Sequence, residues 1–493
     1  MKYPNRNSQN PVLGVKCAVR ILFTAIAMGV ILNGCWAVGP DYTPIQPQAP
    51  EKWNTAMAGG LTPKQPDPDT LAHWWTIFND PVLSKLEEQA VNGNLELQTA
   101  QARIREARAL RGISQARLFP NVNASAAASK MRSSESGGTG LETELYTAGF
   151  DAGWELDIFG GLRRSIEASQ ADLEASQVNL DNVMISLMAE VALNYVDVRT
   201  FQAQLALTQA NIKTQEETYY LNLSRYQAGI IDELAVQESL RILEASRSQI
   251  PAIETRMAAA KNRLAVLLGR QPAEFAQELV EARPIPALPA TVAVGIPAET
   301  LRRRPDIRFA ERLVAAQTAR IGVATADLYP KFQLAGTIGV ESINSGELLK
   351  WGSRVWSYGP RASWNVFDAG AIRQNIAVQN ARQEQALIQY QTTVLNAQEE
   401  VENALIAYAK EQRRRDSLNK AATAAQRAQL LAMDKYQAGL VDFNNVLDAQ
   451  RSLLILQNEL NQSTGAATTN LVRLYKSLGG GWGYASREED TSK

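Results

Sequence analysis

Arg225-Tyr226-Gln227-Ala228-Gly229 recurs 210 positions later as Lys435-Tyr436-Gln437-Ala438-Gly439. The same offset carries Ala116-Arg117-Leu118-Phe119-Pro120 onto Ala326-Asp327-Leu328-Tyr329-Pro330, Gly112 onto Gly322, Trp154 onto Trp364, and Glu190-Val191 onto Glu400-Val401. Chance matches scatter over many offsets, so one offset joining five separated landmarks marks a tandem duplication. The period is too long for a solenoid unit, and each half is expected to carry its own strands and helices.

Working back from the two Tyr-Gln-Ala-Gly stretches, neither glycine nor proline occurs between Gly161 and Gly229 or between Gly370 and Gly439. This predicts single helices over about 162–227 and about 371–437, each about 100 Å long at 1.5 Å per residue. Leu162, Ile166, Ser169, Leu173, Ser176, Leu180, Val183 and Leu187 step alternately by four and three, the spacing of a coiled-coil seam. Ala168, Ala171 and Ala175 beside it let neighbouring rods approach closely. Each rod stops where glycine takes the left-handed conformation, and Asp232 and Asp442 stand at cap-like positions of new helices. The returning helices, about 232–268 and about 442–478, are expected to be interrupted at Pro251 and Gly465.

Upstream of the rods the hydrophobic period changes to two. Ala148, Phe150, Ala152, Trp154 and Leu156 alternate with Gly149, Asp151, Gly153 and Glu155, and Tyr358, Pro360, Ala362 and Trp364 alternate with Gly359, Arg361 and Ser363. Four strands follow, about 121–131, 145–158, 331–343 and 354–367, close to the 9–11 residues a tilted membrane strand needs. Helices from about Pro81 to Leu118 and Pro297 to Leu328 precede them. A membrane barrel must close, and four strands cannot close. The barrel is therefore shared: two copies give eight strands and three give twelve, of which twelve leaves a lumen.

Net charge is −1 with signs well mixed, which gives no field for nucleic acid. Two cysteines, Cys17 and Cys35, and the single His73 exclude a zinc site, a disulfide framework or a Cys/His catalytic pair. No nucleophile, base and orienting group assemble, so the chain is not read as an enzyme. Residues 1–34 read as a signal peptide, with Lys2, Arg6, Lys16 and Arg20 around an apolar Ile21–Leu32. Leu32-Asn33-Gly34-Cys35 resembles the lipobox of bacterial lipoproteins, which implies N-acyl and S-diacylglycerol groups on Cys35 as the only covalent additions; no cofactor or metal is expected. Residues 35–79, rich in proline, read as a lipidated extended linker. Gly479-Gly480-Gly481 lacks a following Lys-Ser/Thr, and 479–493 reads as a flexible tail. Arg302 to Arg304 read as a helix start with a solvated face, His73 as packing at the linker–helix junction, and Trp154, Trp351, Trp356 and Trp364 as anchors at a bilayer interface.

Cys35-Trp36-Ala37-Val38-Gly39-Pro40-Asp41-Tyr42, Trp74-Trp75 with Phe78 and Asp80-Pro81, Trp154-Glu155-Leu156-Asp157-Ile158-Phe159-Gly160, Leu267-Leu268-Gly269, Leu301-Arg302-Arg303-Arg304-Pro305-Asp306-Ile307, and Leu474-Tyr475-Lys476-Ser477-Leu478-Gly479-Gly480-Gly481-Trp482 together resemble the TolC superfamily, in its lipoprotein branch typified by OprM and NodT. The resemblance implies a mostly α mixed α/β membrane protein built from the duplicated unit (80–283 and 284–478). Three identical chains would form a twelve-stranded β-barrel in the outer membrane of a Gram-negative bacterium, continued by a twelve-helix periplasmic α-barrel. It further implies an exit duct of a tripartite efflux pump, with a periplasmic membrane-fusion adaptor and an inner-membrane transporter, commonly of the resistance-nodulation-division class. On that resemblance the tips, Tyr226, Ala228, Gly229 and Asp232 with Tyr436, Ala438, Gly439 and Asp442, dock the adaptor, and Leu430, Leu431 and Asp434 are candidate gate residues. A type I protein-secretion duct and a non-conducting structural lipoprotein are the rival readings.

Overall fold

Residues 37–138 and 140–482 are described by a computed structural model. In chain order they form β1 (Leu61–Thr62), α1 (Pro68–Ala72), a 3-10 turn (Trp74–Phe78), α2 (Pro81–Gly93), α3 (Leu95–Ala116), β2 (Asn121–Arg132), β3 (Glu142–Leu156) and α4 (Gly161–Gln227). Then come α5 (Glu233–Arg247), α6 (Gln249–Leu267), α7 (Pro272–Phe275), β4 (Val292–Ala293), α8 (Pro297–Arg303) and α9 (Pro305–Ala326). The last are β5 (Lys331–Ser342), β6 (Arg354–Ser363), α10 (Ala371–Gln437) and α11 (Phe443–Ser477). The helices α4 and α10 each run 67 residues. Two units are separately compact: among the described residues the first holds 37–43, Ala107–Leu173 and Leu313–Ala386, the second Pro44–Glu106, Glu174–Arg312 and 387–482.

The first unit is built on an antiparallel sheet in the order β2-β3-β5-β6. Register keeps the two faces distinct. Phe150 stands opposite Ala124 and Ile338, and Ile338 opposite Trp356, so aromatic and aliphatic side chains share one face. Asp151 stands opposite Asn123 and Thr337, and Thr337 opposite Ser357, on the other. β6 ends at Ser363 rather than near 367, because its partner there, Lys331, is the first residue of β5 and among the described residues no further strand lies alongside. Each strand-to-rod link is fixed by a carboxylate at a helix start, where free N–H groups need acceptors. Asp157 accepts from the Leu162 and Arg163 N–H at 2.9 and 3.0 Å, and Asp368 from the Gly370 and Ile372 N–H at 2.8 and 2.7 Å. Trp154 and Trp364 donate their indole N–H to the carbonyls of Leu118 and Leu328, each 36 residues back, at 2.8 and 3.1 Å.

On α4 the buried ridge runs Arg164, Ala168, Ala171, Ala175, Val178, two positions from the expected seam, of which only Leu173 and Leu187 are fully buried. The spacing is the same, but small alanines admit a neighbouring backbone more closely than leucines, and they occupy the inner face.

The second unit corrects four expectations. Residues 44–79 are not a free linker, since Trp53, Leu61, Leu71, Trp74, Trp75 and Phe78 all enter the main core. Proline rules out long helix there, not burial. Trp74, with no exposed surface, stacks on Tyr475 at 5.8 Å and 10°, and the β1 strand pairs in parallel with β4. Gly479–Gly481 is buried as well: the Gly481 N–H donates to the Leu71 carbonyl at 3.0 Å, and a Cβ on Gly480 would sit 2.9 Å from that same oxygen. Finally, α11 runs unbroken through Gly465, where a Cβ would meet the Thr200 hydroxyl at 2.4 Å; the glycine serves a close helix contact, not a break. The first returning helix does divide, at Ser248, three residues before Pro251. Arg304 is also buried, not solvated. It bridges Asp306 and Glu400 at 2.8 and 2.6 Å and donates to the Ser477 carbonyl at 2.6 Å.

Half-buried Asp181 on α4 has its carboxyl pushed up to about 6 by desolvation, against the opposing charge of Arg308. A raised acid means the ionised form is disfavoured in the fold, so stability is fullest below the unfolded value near 4 and falls as pH rises through 6. Asp181→Asn is expected to raise the stability at pH 7 by about 1–2 kcal/mol and to flatten the dependence between about pH 4 and 6. Parallel pH profiles of thermal unfolding for the two proteins would reject this.

Candidate functional site: hairpin tips and the polar sheet face

Each rod ends in the same six-residue hydrogen-bond pattern. The Gly229 N–H donates to the Tyr226 carbonyl at 2.9 Å and the Ile230 N–H to Arg225 at 2.9 Å; Gly439 and Leu440 repeat this with Tyr436 and Lys435 at 3.0 and 2.9 Å. The two glycines have φ of +70° and +72°, the left-handed cap that lets the chain reverse. Asp232 then accepts the Ala235 N–H at 3.4 Å. Asp442, although it holds the same position, makes no side-chain cap bond.

The tips differ in what they present. Tyr226, Ala228, Gly229 and Asp232 are exposed, as are Ala438, Gly439 and Asp442. Tyr436, expected on the docking surface, is instead buried. It donates to Asn222 Oδ1 at 3.0 Å, lies under the Arg225 guanidinium at 4.7 Å and packs on Phe443 at 5.3 Å. Leu430, Leu431 and Asp434 lie on the exposed face of α10, away from the buried ridge of Ala422, Gln429 and Tyr436.

Ala235 and Ile242 of the first hairpin pack on the apolar cluster of Tyr436, Phe443, Val446 and Leu447, and farther along the rods the contact includes polar pairs. Thr208, Gln215 and Asn222 recur every seven residues on α4 and are buried. Gln450 donates to the Thr218 hydroxyl at 3.2 Å, and Asn211 to Gln457 at 3.4 Å. Hydrogen-bonded pairs of this kind fix register but contribute less than apolar packing. Asn222, Thr218 and Gln450 were not singled out from sequence; for Asn222 the heptad recurrence of polar residues was the available signal.

In the first unit, the polar sheet face carries Asn121, Asn123, Asp151, Glu155 and Gln333 around a cleft of about 1190 Å³. Beside it the irregular segment from Ala37 is clamped. The Arg164 guanidinium donates to the Val38 carbonyl at 3.1 Å and to Asp41 at 2.5 Å, and Gly39, at φ +93°, leaves room for Gly322, whose Cα would lie 2.4 Å from an added Cβ. Cys35 and Trp36 lie outside the described residues. Among the described residues no group of three metal-ligating side chains occurs, and no helix is long and apolar enough to cross a membrane.

Residues 86–270 and 296–480 match the model of the outer membrane efflux protein family. Nodulation protein T of Rhizobium leguminosarum bv. trifolii is 33% identical over 89% of this chain and 92% of its own. The toluene efflux pump outer membrane protein TtgF of Pseudomonas putida is 31% identical over 96% and 99%. Among solved structures, the outer-membrane channel OprN superposes with a TM-score of 0.84 at 36% identity, covering 90% of this chain and 99% of that one. The open state of the MtrE outer membrane channel of Neisseria gonorrhoeae gives 0.76 at 29% identity, covering 90% and 98%.

Proposed function

The chain belongs to the outer membrane efflux protein family, and from that premise we propose that it is the exit duct of a tripartite pump that carries small molecules across the periplasm and outer membrane. The observation that carries this reading is the sheet: one apolar face, one polar face, and two edge strands, β2 and β6, whose outer edges have no partner among the described residues. Unpaired edges cannot rest in hydrocarbon, so three copies supply twelve strands that close around a lumen lined by the polar face. The rods α4 and α10 follow directly from β3 and β6 and form the periplasmic wall. Cys35, two residues before the clamped Ala37, carries N-acyl and S-diacylglycerol chains that tether each copy to the outer membrane.

The exposed tip residues receive the periplasmic adaptor, which couples the duct to an inner-membrane transporter of the resistance-nodulation-division class. Leu430, Leu431 and Asp434 face the lumen and narrow it; a ring of three carboxylates favours cations, and an apolar ring gates by dewetting. Similarity to a toluene efflux component favours small-molecule cargo over exported protein. Deleting the gene is expected to sensitise its host to organic toxicants or metals while protein secretion stays intact. Unchanged tolerance with loss of one secreted protein would move the duct to type I secretion, and purified protein that never conducts in planar bilayers would remove the channel reading altogether.

A further inference from the structure

On the shared-barrel reading above, in which the apolar sheet face meets lipid and the rods mark the periplasmic end, we propose that Lys130, Arg132 and Arg354 form a site for the phosphate groups of lipopolysaccharide in the outer leaflet. The site lies on the outward face of the sheet, at the end remote from the rods. Along β5 the apolar face runs Phe332, Leu334, Gly336, Ile338, Val340, and in that last row Val340 stands opposite Arg354. Phe332 to Val340 is about 27 Å of strand at 3.4 Å per residue, or about 21 Å of depth at a tilt near 40°, close to the apolar band of a membrane barrel. Past that row the same face turns polar and then charged: Tyr146 opposite Ser342, Lys130 opposite Glu144, and Arg132 opposite Glu142.

In these last rows of the β2/β3 hairpin the charge stands on the side where a water-filled lumen does not need it. The pairs of Lys130 with Glu144 and Arg132 with Glu142 face outward, whereas the lumen-side rows between and below them are Met131 opposite Thr143 and Ser129 opposite Leu145. Outward is the face that meets hydrocarbon a few residues further down, where a charged side chain is costly. Charge confined to that side, immediately beyond the apolar band, matches ionic neighbours in the plane of the bilayer, and at that depth those neighbours are lipid headgroups.

The cations are held with donors to spare. The Lys130 ammonium lies 3.2 and 3.3 Å from Glu142 and Glu144, and Arg132 gives one of its N–H groups to Glu135 at 3.2 Å; a guanidinium has five. Arg354 has no carboxylate within ion-pair distance among the described residues, and its guanidinium lies 3.5 Å over the Trp351 ring, which the 3-10 turn Trp351–Ser353 folds back onto it. A guanidinium stacked on an aromatic ring is fixed in plane while its N–H edge stays open to a bidentate phosphate. On the rod side of Arg354, Trp356 and Tyr358 stack at 5.8 Å and are 71% and 79% exposed, a ledge for the acyl chains beneath a headgroup. Glu142 and Glu144 share that face and are compatible with a phosphorylated leaflet, because Lys130 neutralises part of their charge and the divalent cations that cross-link its phosphates accept carboxylate oxygens.

The test uses the full-length protein purified in detergent and lipopolysaccharide carrying both lipid A phosphates, before and after phosphatase treatment, with binding read by native mass spectrometry. Wild type is expected to bind the phosphorylated form about tenfold more tightly than the dephosphorylated one. Lys130→Gln, Arg132→Gln and Arg354→Gln together are expected to remove that preference and to leave binding of the dephosphorylated form unchanged. Equal binding of the two lipids by wild type, or an undiminished preference in a triple variant of wild-type native mass, overturns the site and leaves the duct intact. Displacement of the lipid by excess inorganic phosphate assigns the cations to a free anion and overturns it equally. Wild-type protein with a native mass of one chain overturns the shared barrel beneath it. If the triple variant fails to assemble, Arg354→Gln alone decides: its side chain is exposed and unpaired with any carboxylate, a loss of about threefold is expected, and unchanged binding overturns the site.

Discussion

Asn222→Ala is expected to raise the resting conductance of the purified protein in planar bilayers about five- to a hundredfold. The hydroxyl of Tyr436 is buried and its acceptor is Asn222 Oδ1 at 3.0 Å. Removing that acceptor leaves a buried donor unsatisfied, at about 1–3 kcal/mol, and each 1.4 kcal/mol is a factor of ten in a two-state population. The loss falls on the arrangement in which the two hairpins are in contact, because only that arrangement makes the bond. Around it lie other side-chain hydrogen bonds, Thr218 with Gln450 and Asn211 with Gln457, beside an apolar cluster of Tyr436, Phe443, Val446 and Leu447 against which Ala235 and Ile242 of the first hairpin pack. Tyr226→Phe, at the exposed and otherwise equivalent position of the first tip, is expected to change nothing. If the conductance of Asn222→Ala matches wild type while its melting temperature is also unchanged, the hairpin contact does not control the pore.

Trp74→Ala is expected to lower stability by about 3–5 kcal/mol, the range for deleting a fully buried large aromatic. Its ring is the meeting point of segments far apart in sequence. It stacks on Tyr475, meets Trp75 and Phe78 edge-on at 6.1 and 6.3 Å, and forms the floor beneath Gly480 and Gly481. No cavity of that size can be refilled by its glycine neighbours, which have no side chains to move. Trp74→Phe is expected to cost less than half as much, since the indole nitrogen has no hydrogen-bond partner to lose. Thermal unfolding followed by circular dichroism separates the cases; equal melting points for Trp74→Ala and wild type would show that the N-terminal segment is not held by this core.

The regular parts of the fold were legible because they follow single periodicities. An uninterrupted run of residues without glycine or proline gives a rod, Tyr-Gln-Ala-Gly ends it, and strict alternation over 148–156 gives β3. What the sequence hid depends on contacts across hundreds of residues. Gly465 and Gly480 look like breakers until Thr200 and Leu71 are placed against them. Arg304 looks solvated until Glu400, 96 residues on, is found beside it. The helix rotation that buries Tyr436 and exposes Tyr226 was likewise unreadable, because the two tips carry almost the same letters and differ only in what the opposite hairpin offers. The N-terminal prolines misled in a similar way: they describe backbone conformation, whereas Trp53, Leu61 and Trp74 decided the location.

β2 is composed largely of alanine, serine and asparagine, and every one of its residues is exposed in the single chain. Such a strand has little intrinsic preference for extended structure and offers an open ladder of donors and acceptors. A single copy with this edge uncovered is expected to be cut readily by proteases that grip extended backbone. On the shared-barrel reading, that edge is covered only when neighbouring copies meet, so the lifetime of a subunit is expected to depend on how soon it finds them.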